Sequence, residues 1–234
     1  MDKNYDPQLY HFLSEYVSDH KKRLFEQVLL KRTRHLTVVL EDIYQPQNAS
    51  AVMRSCDGMG IQDVHVIEND NEFTVSEGVT IGADKWLTVH NYNQPGTSNT
   101  RACYNSLKER GYTLCATSPH EDDVTIDNLP LEQPIALVFG AELKGLSAYA
   151  LQQADRFVRI PMYGFSESFN ISVSAAICLY ELRKRLEESE LKWQLSEEEK
   201  QKLRLEWTRA AVKEPEMLER YFYARAAGGT PRQS

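Results

Sequence analysis

No run of apolar residues in this 234-residue chain approaches the ~18 needed to cross a bilayer, so no membrane partner is expected. The opening MDKNYDPQLYHFLSEY lacks the basic-then-apolar layout of a secretory signal. Cysteine is scarce: Cys56, Cys103, Cys115 and Cys178 form no CxxC pair and no metal-ligand spacing. A disulfide framework is thereby disfavoured, and a reduced, cytoplasmic protein without a bound metal is expected. Neither an internal repeat nor a low-complexity tract occurs. With 41% hydrophobic and 26% charged residues the composition is globular and argues against wholesale disorder.

Positive charge in bulk is lacking too. The chain holds 27 Lys and Arg against 34 Asp and Glu, a formal net charge of -7, which taken whole disfavours a nucleic-acid partner. The distribution reverses that reading. Residues 1–36 carry seven basic against five acidic side chains and residues 181–234 carry twelve against eleven, whereas 37–180 carry eight against eighteen. Between His20 and His35, Lys21, Lys22, Arg23, Lys31, Arg32 and Arg34 face Glu26 alone. A charge run is ordinarily a solvated helix face. The alternative is an arm that contacts phosphates, joined by an Arg183–Arg185 cluster and the tail.

From Leu36 onward short apolar runs alternate with longer mixed segments. LTVVLED (36–42), DVHVIE (63–68), KWLTVHNY (85–92), YTLCAT (112–117), IALVFG (135–140) and RFVRIP (156–161) read as buried strands bounded by turn formers. Asn48–Met59, Ser98–Arg110 and Ser147–Ala154 read as helices between them, and a longer helix opens near Asn170. This alternation predicts an α/β fold, a mainly parallel sheet with helices on both faces. The tail predicts two amphipathic helices, 196–212 and 216–226, with Ser196 and Glu199 as a capping box and Pro215 as the break. Leu203, Trp207 and Tyr221 to Tyr223 should lie on their apolar faces, and the final TPRQS should fray. The expected division is a helical basic extension over 1–35, a catalytic domain over 36–188 and a helical extension over 189–234.

Three segments could carry chemistry. GAELKGLS (140–147) approximates a phosphate loop, but Leu146 stands where the lysine is required, which disfavours an NTPase. What remains is a strand end with a Gly-flanked turn and one carboxylate, Glu142. In EDIYQPQNASAVMRSCDGMG (41–60), Asn48, Ala51 and Arg54 lie three apart, a spacing that predicts one helix face, with Asn48 as a candidate N-cap. Arg54, flanked by Val52, Met53 and Cys56, calls for an anionic partner. In RIPMYGFSESFNISVSAA (159–176), Ser166, Ser168 and Asn170 lead into a helix, where capping alone accounts for them.

Taken together the three are more specific. PQNASAVMRSCDGMG, ALVFGAELKGLS and IPMYGFSESFNISVSAA, in this order and spacing, resemble the three motifs of the SpoU/TrmH branch of the SPOUT RNA 2′-O-ribose methyltransferases, over roughly 36–185. The resemblance implies a C-terminal deep trefoil knot over roughly 135–180, a homodimer with sites formed across it, and S-adenosylmethionine as cofactor. Thr117, Gly140, Ile160 and Phe169 then match cofactor-contacting positions, with Glu142, Gly145 and Met162 lining the same loops. Arg54 matches the arginine that activates the ribose hydroxyl, Asn48 would hold that arginine or the substrate, Ser168 and Asn170 would shape the catalytic pocket, and Glu142 would anchor its loop. Guanidinium is too weak an acid to serve readily as a base, so either an RNA phosphate assists or Arg54 only orients hydroxyl and phosphate. Phe169 departs from the leucine common in the family. The KWLTVHNY strand, the helical tail and the few residues before the core point to members acting on the D-loop guanosine at tRNA position 18. The alternatives are ribosomal RNA as substrate, or an inactive RNA-binding protein on the same scaffold. No DNA partner is expected.

Overall fold

The computed structural model describes residues 5–74, 80, 82–118, 124–142 and 144–226; Leu143 and the expected frayed end, 230–234, lie outside them. Two compact units result, Thr33–Trp193 and a second made from both chain ends, Met1–Arg32 with Gln194–Ser234.

The larger unit is built on β1 (Leu36–Glu41), β2 (Asp63–Ile67), β3 (Thr88–Tyr92), β4 (Thr113–Thr117), β5 (Val124–Thr125), β6 (Ile135–Phe139) and β7 (Arg156–Arg159). They form one sheet in the order β3-β2-β1-β6-β4-β7-β5, and every pairing is parallel. Parallel strands need crossovers, and these carry α3 (Pro46–Gly58), α4 (Asn99–Glu109) and α5 (Ala148–Gln153), with α6 (Ile171–Glu188) following β7. Side chains alternate between two cores, as strand geometry requires. Val38, Leu40, Val64, Val66 and Leu137 pack with Val52, Met53 and Cys56 of α3 and Leu179, Leu182 and Leu186 of α6. Val39, Ile67, Leu114, Ala116, Ala136 and Val138 face the other way, onto Cys103, Tyr104 and Leu107 of α4 and Ala150 of α5. Each buried Val, Leu, Ile or Met side chain among them contributes roughly 1.5–3 kcal/mol. The four cysteines are free and buried.

The expected strands lie within one or two residues of those observed, with one larger difference. The run 85–92 becomes a strand only at Thr88, because Gly82 at φ 76° opens a 3-10 turn over Ala83–Trp86. Asn48 is not an N-cap. Pro46 occupies the first helical position of α3 and Gln45 is the cap residue, so Asn48 sits inside the first turn.

At the end of the sheet where β2 begins, the buried Asp63 carboxylate receives both Arg34 Nε (3.1 Å to each oxygen) and Arg110 (3.1 Å), with His90 Nε2 at 3.7 Å. His90 stacks on His65, ring centroids 4.4 Å apart, and His65 Nδ1 meets the Tyr92 hydroxyl at 3.1 Å.

The smaller unit consists of α1 (Pro7–Ser14), α2 (Asp19–Leu29), α7 (Glu197–Ala211) and α8 (Pro215–Ala226). Ser196 and Glu199 form the expected capping box. Leu9, Leu13 and Leu205 make a small core, beside which Phe25 meets Trp207 edge-on. Leu203 and Trp207 are buried as expected, but Tyr221 and Tyr223 are exposed and only Phe222 turns inward. Arg204 clamps Glu26 with two hydrogen bonds of 2.7 and 2.8 Å.

Candidate functional site

In a parallel sheet every strand delivers its C-terminal end to the same edge, and ligands gather there. The loops after β4, β6 and β7 line a cavity of about 620 Å³ at that edge. Thr117 and Ser118 come from the first loop, Gly140, Glu142, Gly145 and Leu146 from the second, and Ile160, Met162, Ser168, Phe169 and Asn170 from the third. All seven residues expected to contact a cofactor are therefore brought together, with Ser168 and Asn170 beside them.

The floor depends on glycine. A Cβ on Gly140 would stand 2.3–2.4 Å from the backbone of Gly145 and Leu146, so only hydrogen fits where the loop doubles back. Gly145, at φ 68°, closes that turn with its N–H on the Ala141 carbonyl at 2.8 Å. Thr117, also in the lining, donates its hydroxyl to the Val138 carbonyl at 2.8 Å.

A chain of side chains joins the three motifs. Asn48 Nδ2 donates to Glu142 Oε1 at 2.8 Å, and Asn170 Nδ2 donates to Asn48 Oδ1 at 3.1 Å. Glu142 also receives the backbone N–H groups of Tyr44 and Gln45, each at 3.3 Å. Glu142 thus ties its own loop to the segment that opens α3. Partial burial would raise its carboxyl pKa, but the hydrogen bonds from Asn48 and from backbone N–H groups outweigh that and hold it below the ordinary range. Asn170 in addition caps α6, accepting from Ser172 N at 2.8 Å.

Arg54 is placed differently. It is exposed on α3, does not line the cavity, and has no ion-pair partner among the described residues. The expected shared face with Asn48 fails because six residues turn a helix through about 600°, which leaves the two roughly 120° apart. Asn48 is buried accordingly, and its partners are Gln45, Glu142 and Asn170, not Arg54.

The expected phosphate contacts divide. Arg32 is 1% exposed and lies with its guanidinium 5.3 Å from the Trp207 ring, and Arg34 is held by Asp63. Both are packed into the protein and are not on display for a polyanion. Arg183 stacks on Trp193 at 4.0 Å and Arg185 donates to the carbonyls of Ile126 and Leu129, so both arginines of that cluster are committed within the protein, whereas Lys184 between them is exposed. Arg23 and Lys31 are exposed, and Lys21 and Lys22 are half-exposed on α2. Among the described residues no group of His, Cys, Asp and Glu could hold a metal, and no helix is long and apolar enough to cross a membrane.

One residue of the site escaped the sequence reading. Glu41, at the end of β1, is 1% exposed and accepts from Ser147 N, Ser147 Oγ and Thr100 Oγ1 at 2.9, 2.9 and 2.6 Å. A single acid directly after the apolar run Val38–Leu40 was the available signal.

A sheet-edge cavity made by glycine-dependent loops, with an amide–carboxylate chain joining them, defines an α/β ligand-binding enzyme core. The chain belongs to the SpoU methylases: residues 35–180 match the model described as the SpoU rRNA Methylase family. It is 44% identical to the tRNA (guanosine(18)-2'-O)-methyltransferase of Borreliella burgdorferi over 207 residues, 88% of this chain and 93% of that protein. The crystal structure of the Aquifex aeolicus TrmH/SpoU tRNA modifying enzyme matches with a TM-score of 0.73 at 30% identity, covering 84% of this chain and 98% of that one. The SpoU methyltransferase AviRb of Streptomyces viridochromogenes, solved with AdoMet, shares the fold at 24% identity and a TM-score of 0.58, over 68% of this chain and 63% of that one.

Proposed function

We propose that this protein is a tRNA (guanosine(18)-2′-O)-methyltransferase that uses S-adenosylmethionine. The observation that carries the reading is the convergence of the second and third family motifs on one 620 Å³ cavity, with Asn48 of the first motif hydrogen-bonded to Glu142 and Asn170. The volume falls within the ~300–1,000 Å³ usual for small-ligand sites. The donor set suits the cofactor: a mixed lining in which Phe139, Leu146, Ile160 and Phe169 offer apolar surface and the loops offer polar groups. When bound, S-adenosylmethionine supplies an electrophilic methyl group on a sulfonium.

The protein's own part is positioning. A ribose hydroxyl is a very weak acid, so it must lose its proton during attack and be aligned with the methyl carbon. Glu142, Asn48 and Asn170 fix the loops after β6 and β7 relative to the start of α3. Arg54 provides an uncommitted cation for a hydroxyl–phosphate pair. Because Arg54 lies outside its own protomer's cavity, the reading includes a homodimer in which a site draws on both copies. The exposed Tyr163 and Phe165, with Val173 and Tyr180 seven residues apart on α6, support an interface beside the cavity. The reading also includes the family's trefoil knot over roughly 135–180, RNA contact through Lys21, Lys22, Arg23 and Lys31, and separate roles for terminal extensions and core.

Incubation with methyl-labelled S-adenosylmethionine and separate tRNA and ribosomal RNA transcripts, followed by mapping of the modified ribose, tests the proposal. Label at guanosine 18 of tRNA is expected. Incorporation only into ribosomal RNA would overturn the substrate, and absence of cofactor binding at millimolar concentration would favour the inactive scaffold.

A further inference from the structure

Burying a carboxyl group costs several kcal/mol unless its oxygens are satisfied, and a strand end beside Val39, Leu40 and Ile43 would accept an apolar residue. Glu41 nevertheless stands there, with no cation paired to it among the described residues. Among the described residues its carboxylate accepts three hydrogen bonds, all from donors on other elements, and two of them come from Ser147. Ser147 is the residue at which the loop Gly140–Leu146 ends, and its hydroxyl caps α5 by accepting from Ala150 N at 3.1 Å. Gly145 and Leu146, immediately before it, line the cavity. The third donor, Thr100, also receives Asn69 Nδ2 at 2.9 Å, and Asn69 leads the three consecutive residues whose N–H groups bond Asp42 Oδ1. Asp42 adopts φ 53°, a left-handed conformation that a non-glycine residue takes at a cost. Glu41 and Asp42 are thus adjacent anchors, one for the loop after β6 and the other for the loop after β2.

We infer that Glu41 is a positioning residue for the cofactor cavity, acting through Ser147 to hold the Gly140–Leu146 loop in register. The inference rests on the functional reading above for the identity of the ligand, but the loop anchor itself does not. Replacing one carboxylate oxygen by an amide, as in Glu41→Gln, turns a donor toward the Ser147 N–H or hydroxyl and breaks that contact. The loop then loses its fixed end while the sheet beneath keeps its packing.

The test compares wild type, Glu41→Gln and Thr100→Val by backbone hydrogen exchange without ligand and by steady-state kinetics with S-adenosylmethionine and tRNA. Glu41→Gln is expected to speed exchange in the peptide covering 140–150 and to raise KM for S-adenosylmethionine about tenfold, with KM for tRNA unchanged. Thr100→Val, which cuts the contact from α4 and not the one from the loop, should lower Tm yet leave that KM alone. Wild-type exchange across 140–150 in Glu41→Gln overturns the anchor. An equal rise in KM in both variants at equal loss of Tm overturns positioning in favour of general stability. Should Glu41→Gln fail to fold, Ser147→Gly, which removes one of the two loop contacts, must raise the same KM, and an unchanged value overturns the inference. A wild-type protein that neither binds S-adenosylmethionine nor methylates tRNA overturns the functional reading and the cofactor half of the inference, while the exchange result still decides the anchor.

Discussion

Gly140→Ala is the smallest perturbation that addresses the cavity directly. The added carbon would stand 2.3 Å from the carbonyl carbon of Gly145, 2.4 Å from its oxygen and 2.4 Å from Leu146 N. Comfortable carbon contacts begin near 3.5 Å, so the facing backbone must retreat by roughly an ångström. These are main-chain atoms that no rotamer change relieves. They are held by the Gly145-to-Ala141 hydrogen bond at 2.8 Å and by Ser147 on Glu41. Overpacking of this kind costs about 1–3 kcal/mol, which lowers Tm by about 2–4 °C per kcal/mol in a protein of this size. The ligand loses far more, because a shift of about 1 Å in a positioning loop is worth on the order of a hundredfold. Calorimetric titration with S-adenosylmethionine and a thermal melt measure the two effects separately. Gly164→Ala is the control, since a Cβ there meets nothing within 4 Å and should behave as wild type. If Gly140→Ala bound S-adenosylmethionine within about twofold of wild type at an unchanged Tm, the steric argument for the cavity floor would be wrong.

Arg54→Ala should reduce methyl transfer by at least about a hundredfold while leaving S-adenosylmethionine affinity intact, because Arg54 is outside the cavity; loss of both in parallel would make it structural. Neutralising Lys21, Lys22, Arg23 and Lys31 together should weaken tRNA binding and flatten its salt dependence without changing cofactor affinity, as filter binding at several salt concentrations would report. His65 is held neutral to about pH 3, first by burial and then by the charges of His90 and Arg110, with Asp63 opposing. The unfolded chain takes up that proton near pH 6.5, so stability should fall as pH drops from about 6.5 toward 3, by up to ~1.4 kcal/mol per pH unit. Denaturant midpoints at pH 7 and 5 measure the slope, and His65→Phe should reduce it; an identical slope in the variant would assign the acid sensitivity elsewhere.

The strands were legible because a parallel sheet buries both faces and so compresses each strand into a short β-branched or aromatic run. Val124–Thr125 escaped because two residues carry no pattern. Ser196 and Glu199 were legible as a cap because both partners lie within four residues of each other. What the sequence hid are pairings between distant residues. Nothing near Arg34 announces Asp63, 29 positions on, and nothing near Arg32 announces Trp207. Glu41 passed unnoticed for the same reason, its partners Thr100 and Ser147 lying 59 and 106 residues away. Arg54 shows the converse error. Apolar neighbours in sequence argued for an anionic partner, but on a helix the residues beside a given position point elsewhere, and the side chain emerges into solvent with no ion pair among the described residues.

The same distinction revises what the charge count can mean. A run of cations from Lys21 to Arg34 spans the division between the two units, and its last arginine belongs to the larger one. Asp63 needs the cations around it, since a carboxylate buried to that degree is tolerable only when paired and hydrogen-bonded. Arg34 and Arg110 are therefore committed to the start of β2, at the opposite end of that strand from Ile67 and the loop that Asp42 anchors. Along β1, likewise, Leu36 opens the strand and Glu41 closes it against the cavity loop. Buried carboxylates thus hold both ends of the sheet by different means: ion pairs at one, and neutral donors at the other. In the proposed reading, neutral donors suit the end that would meet a sulfonium cofactor and a polyanion, because they fix the loops without placing a further cation under the floor of the cavity. In that reading Arg54, exposed on α3 and without an ion-pair partner among the described residues, offers a cation to a phosphate there.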